Sequence, residues 1–173
     1  MFIPFPSDDR CDSERIVRST SYGCPGGPGQ SDSSWCDVFP ASNIRSLKVD
    51  RWEQNRIANY WLAEDGKAGE EQGFIMYLGC MKAVRGVSLR NTKNAEHQDR
   101  ATRKFRILGS TTKNGPWQEL LVAYLEDSRL QKPPPLQRLF TKSALVSFIK
   151  FELLEFYGNG GGLQYFAVAG EFR

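Results

Sequence analysis

The 173-residue sequence predicts an all-β protein, an antiparallel β-sandwich carrying an irregular, disulfide-pinned N-terminal arm. Three observations predict it. Short apolar stretches recur that either alternate with polar residues or are dense in β-branched and aromatic side chains, the two signatures of half-buried and fully buried strands. Turn residues separate these stretches at close intervals. No long amphipathic helix and no internal repeat interrupts the pattern.

Residues 1–40 are rich in Ser, Asp, Gly and Pro, and CPGGPGQSDSSWC from Cys24 to Cys36 is turn chemistry throughout. They read as an irregular arm rather than a second domain, leaving residues 41–173 as the sandwich. Asn43 to Trp61 mixes polar and apolar residues and is equally compatible with a short helix and with loop and strand pieces. From Gly73 the pattern sharpens. GFIMYLG is an apolar run between glycines, and AVRGVSLR follows with Val84, Val87 and Leu89. Asn91 to Arg103 is a polar stretch, and KFRILGS then alternates as a half-buried strand. TTKNGP is a turn before WQELLVAYL, and QKPPPLQ excludes helix or central strand. VSFIKFELLEF, the loop GNGGG and the alternating LQYFAVAGEF close the chain. Trp61, Phe74, Tyr77, Leu89, Phe105, Ile107, Trp117, Phe148, Phe151 and Phe166 are the expected core; Gly79 and Gly158 are expected to end strands or take positive φ.

Composition narrows the function. A chain of this length buries roughly 70% of its unfolded surface, so it needs no metal to hold a core. No apolar run approaches the roughly 20 residues of a membrane span. The net charge of +3, from 23 Lys and Arg against 20 Asp and Glu, demands no nucleic-acid partner. His97 is the one histidine, which excludes zinc sites built on two or three, and any Ser-His-Asp machinery would have to use it. GNGGG lacks the G-K-[ST] of a phosphate loop, and the acidic pairs Glu64–Asp65 and Glu126–Asp127 read as solvated turns. An enzyme is therefore not expected.

The four cysteines, Cys11, Cys24, Cys36 and Cys80, form no C-x-x-C pair. Two disulfides are expected, with three connectivities open, rather than four thiols in a reducing compartment. That places the protein outside the cell or on its surface. MFIPFPSDDR is not a signal peptide, because it has no basic start and Pro4 and Pro6 break its apolar stretch, so this expectation requires a leader already removed. No N-x-[ST] sequon adds support.

The order of the pieces over residues 40–173 resembles the discoidin family, the coagulation-factor C-type domains, within the galactose-binding-like jelly rolls. NYWLAEDG stands at the family's tryptophan segment and FIMYLGC at its strand ending in Leu-Gly. VSLRNTKNAEHQDRAT matches the strand that reaches a polar loop with an Asn and a D-R pair, and FRILGSTTKNGPW the strand and turn leading to a tryptophan. VSFIKFELLEFYG and GLQYFAVAG complete the set. The resemblance implies a binding module rather than a catalyst, for sugars, phospholipid headgroups or proteins. Many extracellular members tie the domain's beginning to its end; here Cys80 is the last cysteine, so a bridge to the sandwich runs from the arm to its middle.

Sugar sites join an aromatic face to planar polar side chains. Asn91, Asn94, His97, Gln98, Asp99 and Arg100 are the expected polar contacts, and Trp52, Tyr157 and Tyr165 the platforms. The Asp99–Arg100 pair reads alternatively as fixing its own loop. Trp52 between Arg51 and Arg56 is the one passable membrane spike, with a packed core tryptophan as the favoured reading, so membrane binding is not expected. The family's structural calcium uses a D-G-x-x-x-T-x-W type segment and an acid on the last strand. This chain has DRWEQNRIANYW, with Gln164 and Tyr165 on the last strand, so no metal is expected; Asp50 and Glu53 are the candidates if one binds. The leading reading is an extracellular, non-catalytic recognition and adhesion module that binds cell-surface carbohydrate through its end loops. The alternative is a protein–protein adhesion or assembly module with no small ligand, including a homo-oligomer. A third reading keeps the fold inside the cell, as in the discoidin-like subunit of the anaphase-promoting complex.

Overall fold

A computed structural model describes residues 11–20, 41–45, 60–69, 71–131 and 136–170. Among the described residues seven strands form: β1 (Arg15–Ser19), β2 (Trp61–Leu62), β3 (Gly73–Asn91), β4 (Arg100–Ser110), β5 (Gln118–Tyr124), β6 (Leu136–Gly158) and β7 (Gly162–Gly170). Two 3-10 turns, Ala41–Arg45 and Ala95–His97, accompany them. Every strand pairing is antiparallel.

The ladder runs β2-β7-β3-β6-β4-β5, with β1 also on β3. It folds into two layers because β3 and β6, of 19 and 23 residues, each serve both. Strands of this length exceed the usual 3–10 residues and require a bend. In the first layer, Gly73–Tyr77 of β3 pair with Phe148–Glu152 of β6 and with β1, and β6 continues to β4 and β5. In the second, Lys82–Leu89 of β3 pair with Leu136–Val146 of β6, and Val84–Asn91 with β7 and so with β2. The register breaks between Tyr77 and Lys82, where five steps on β3 face two on β6. This bulge turns the corner, since extra unpaired residues bend a strand. FIMYLG and AVRGVSLR, separate pieces in the sequence reading, are thus one strand folded over at Gly79.

Gly79 takes φ 86°, and a Cβ there would lie 1.9 Å from the Asp12 carbonyl oxygen. The arm makes this close approach because the Asp12 N–H donates to the Gly79 carbonyl at 3.1 Å and Cys11 is bridged to Cys80, with Cα atoms 5.3 Å apart. The arm is pinned to the middle of the sandwich as expected, and five of its residues add strand β1. Cys24 and Cys36 lie outside the described residues.

The layers meet over an aromatic core. Phe151 of β6 stacks on Phe74 and Phe105, with centroids at 5.1 and 5.4 Å. Phe166 and Trp61 from the second layer meet Phe74 edge-on at 5.1 and 5.5 Å. The Trp61 indole N–H donates to the Thr20 carbonyl at 2.7 Å, satisfying its one polar atom. Tyr77, Trp117 and Phe148, expected in this core, are instead half-buried on the outer face of the first layer. Strand alternation explains two of them: Phe148 is three residues from Phe151, and Tyr77 three from Phe74, so each pair points to opposite faces. Trp117 stands in the turn before β5, with the Lys150 ammonium 5.8 Å from its ring.

Candidate functional site

Four segments gather at one end of the sandwich: 63–69 after β2, 92–99 between β3 and β4, 125–131 after β5, and 159–161 between β6 and β7. They come together because Asn91, Arg100, Gly158 and Gly162 lie at the strand ends facing this side. Cross-loop hydrogen bonds bind them into one surface. The Ser128 hydroxyl donates to the Thr92 carbonyl at 2.6 Å, the Asn159 N–H to that of Asp99 at 2.8 Å, and the Gly66 N–H to that of Asn159 at 2.9 Å.

Asn91 is 3% exposed and spans the two layers. Its Nδ2 donates to the carbonyls of Thr102 and Glu126 at 2.8 and 3.2 Å. Its Oδ1 accepts the N–H groups of Thr92 and Thr102 at 3.1 and 2.9 Å. An asparagine amide has two donors and two acceptor positions, and all are used internally. Asn94 is 7% exposed. Its Oδ1 accepts the Tyr60 hydroxyl at 3.1 Å, and its Nδ2 donates to Asp99 Oδ1 at 2.7 Å. Arg100 is 4% exposed, pairs with the Asp65 carboxylate, and reaches the Ala63 carbonyl at 3.4 Å. The sequence presented these three as contacts; the structure buries them and uses their side chains to hold the loops.

Above this bracing lies an exposed rim. His97 and Gln98 are exposed at the crest of the 92–99 loop, with Asn94 and Gln98 in left-handed conformation at φ 63° and 54°. Asp99 is half-buried and also accepts Asn159 Nδ2 at 3.1 Å. Burial pushes its carboxyl up, but the hydrogen bonds from Asn94 and Asn159 and the charge of Arg100 outweigh this and hold it below its ordinary value. Asp65, Lys67 and Asn159 complete the rim, Lys67 paired with Glu64 at 2.6 Å. Gly158 permits the arrangement: at φ 72°, a Cβ would lie 2.1 Å from the Asp99 carbonyl oxygen.

Tyr157 is half-buried beside this rim, its hydroxyl donating to the Leu125 carbonyl at 3.2 Å. The guanidinium groups of Arg103 and Arg129 both lie 5.8 Å from its ring centroid, so the ring is already engaged. Arg129 is held by Asp127, at 2.7 Å for Nη2, and its hydrogen bond keeps the Asp127 carboxyl below its ordinary value against a small opposing effect of burial. Tyr165, another expected platform, is half-buried on β7, paired in register with Arg90. Trp52, Asp50 and Glu53 lie outside the described residues. Among the described residues no group of three or more His, Cys, Asp or Glu could hold a metal ion. Sequence reasoning missed Asn159, Asp65 and Arg129. GNGGG read only as a tight loop and Asp65 only as half of an acidic pair, while D-x-R at Asp127–Arg129 was the available signal for the third.

No protein-family model matches the sequence, and no curated protein matches it. Solved structures do match in fold. The family 32 carbohydrate-binding module from Clostridium perfringens NanJ, solved with galactose, superposes with a TM-score of 0.58 at 12% identity, over 90% of this chain and 91% of its own. That from Streptococcus pneumoniae EndoD gives 0.57 at 9% identity over 95% and 100%. The truncated AlyQ, with family 32 and alginate lyase domains, gives 0.60 at 15% identity over 99% of this chain and 35% of its own. The chain thus has the galactose-binding-like jelly-roll sandwich that these carbohydrate-binding modules share.

Proposed function

We propose that this chain is a non-catalytic carbohydrate-binding module that takes a sugar at the loop end of the sandwich. His97, Gln98, Asp99 and Asn159 contact its hydroxyls. Asn91, Asn94 and Arg100 act one layer below, holding those groups in place. One observation carries the reading: an exposed rim of mixed donors and acceptors stands on buried side chains that tie the loops together. Sugar hydroxyls both donate and accept, so they need such a mixture, and a rim fixed before binding loses little entropy. The solved neighbours support it, since one of them is a module in complex with galactose. The Cys11–Cys80 bridge supports an oxidising, extracellular setting.

A glycan array, run with calcium and repeated in chelator, tests the proposal. Selective binding that His97→Ala and Asn159→Ala each weaken about tenfold, the worth of one good hydrogen bond, supports it. A blank array from folded protein in both conditions overturns it and favours the assembly module. Binding indifferent to both substitutions removes the site from this end.

A further inference from the structure

A pocket of about 220 Å³ opens on the outer face of the first layer. Arg18 and Thr20 of the arm, Glu71, Gly73 and Ile75 around the start of β3, and Lys150 of β6 line it. Arg18, Ile75 and Lys150 lie side by side across three strands, because Ile75 pairs in register with both of the others. Ile75, 4% exposed, gives an apolar floor. Two residues along each strand stand Tyr77 and Phe148, with rings 5.0 Å apart, and Arg15 lies 4.9 Å from the Tyr77 centroid.

The charges here are not equally compensated. Glu152 accepts Lys150 at 2.5 Å and Arg106 Nε at 2.8 Å, and Arg106 also faces Glu119 at 3.7 Å. Arg18 is exposed, and its guanidinium makes no ion pair or hydrogen bond with any described residue. Glu71, exposed and also lining the pocket, offers a carboxylate acceptor.

We propose that this pocket is a second binding site, for one ring of an acidic sugar. Its carboxylate pairs with Arg18 beside Lys150, its hydroxyls donate to Glu71, and its C–H face lies on Ile75. A simple anion would be repelled by Glu71 and leave the apolar floor uncovered. A neutral sugar would leave Arg18 without a counter-charge. A ring bearing both a carboxylate and hydroxyls satisfies each group. The volume is below the roughly 300 Å³ at which drug-sized sites begin, which suits one ring rather than a chain. The site shares no residue with the rim formed by His97, Gln98, Asp99 and Asn159, so either can fail alone.

The test is a titration of the whole chain, followed by backbone amide NMR, with galacturonate, galactose and acetate in turn. The expected result is saturable galacturonate binding, with shifts centred on Arg18, Glu71, Ile75 and Lys150. Arg18→Gln should weaken it about tenfold or more, the loss of a charge-assisted pair. Glu71→Gln should weaken galacturonate without weakening acetate. Asn159→Ala should leave galacturonate binding at the pocket unchanged. Arg18 is exposed, so its variant should keep the parent's melting temperature, which confirms that the fold is intact. Galacturonate binding indifferent to Arg18→Gln, no saturable binding at the pocket, or acetate binding there as tightly as galacturonate would each overturn the proposal.

Discussion

Replacing Asn91 by alanine separates a brace from a ligand contact. The substitution removes four hydrogen bonds, three of which tie β3 to β4 and to the 125–131 segment while the fourth fixes the adjacent Thr92. Three of these bonds are buried: those to the Thr102 carbonyl and from the N–H groups of Thr92 and Thr102. An unsatisfied buried group costs about 1–3 kcal/mol, so three left bare would cost about 3–9 kcal/mol. Water entering the vacated space recovers part of this, leaving an expected loss of about 3–5 kcal/mol, at the upper end for a point mutation. For a chain of this size, each kcal/mol lowers the melting temperature by about 2–4 °C, so a drop of about 10 °C is expected. Thermal and urea unfolding by circular dichroism measure it. A variant that melts within about 2 °C of the parent would refute the bracing argument, the more so if sugar binding were lost at the same time.

Three further outcomes follow from the same geometry. Replacing Cys11 and Cys80 together by serine opens a link between residues 69 apart in sequence, and should cost about 3–4 kcal/mol in urea unfolding; unchanged stability would show that β1 holds without the bridge. Gly79→Ala should destabilise more than an ordinary surface change, because the new Cβ meets the Asp12 carbonyl at 1.9 Å in a left-handed backbone, and co-mutation of the cysteines, by freeing the arm, should reduce its cost. Asp99 is more acidic in the folded chain than its ordinary value of 3.8. Its contribution is therefore fully present above that value and is lost as pH falls through the lower folded value. Melting curves from pH 6 downward should show the parent's advantage over Asp99→Asn persisting past pH 4 and disappearing in stronger acid. An advantage already gone at pH 5 would contradict the hydrogen-bond assignment.

The strands were legible because each is short-range information. Alternation at Phe105 and Ile107, the β-branched and aromatic run of β6 and the glycines at 73 and 79 all act locally. The same alternation, applied across Phe148 and Phe151, would have put Phe148 outside; counting aromatic residues as core hid it. The folding of β3 and β6 into both layers was not legible, because the bulge after Tyr77 appears only once two distant strands are in register. The polar character of Asn91 to Arg103 was legible, but not the division of labour among its residues. Asn91 and His97 look alike as polar residues in a polar stretch. Only burial shows that one is spent on Thr102 while the other faces outward. The Asp99–Arg100 pair likewise fixes loops, but through separate partners, Asn159 and Asp65, from segments far along the chain. The Arg18 pocket was out of reach altogether. It depends on β1 lying beside Ile75, and that register is set across dozens of residues, next to the bridge at Cys80.

On the proposed reading the loop end takes sugar on its exposed rim while the buried residues hold that rim in place. Backbone amide NMR during a galactose titration tests it most directly. The expected result is saturable shifts concentrated at residues 96–99, at Asn159 and at 65–67, with affinity about tenfold weaker in an Asn159→Ala protein that still melts like the parent. No saturable shift at that end from galactose, or from any sugar an array selects, would contradict it.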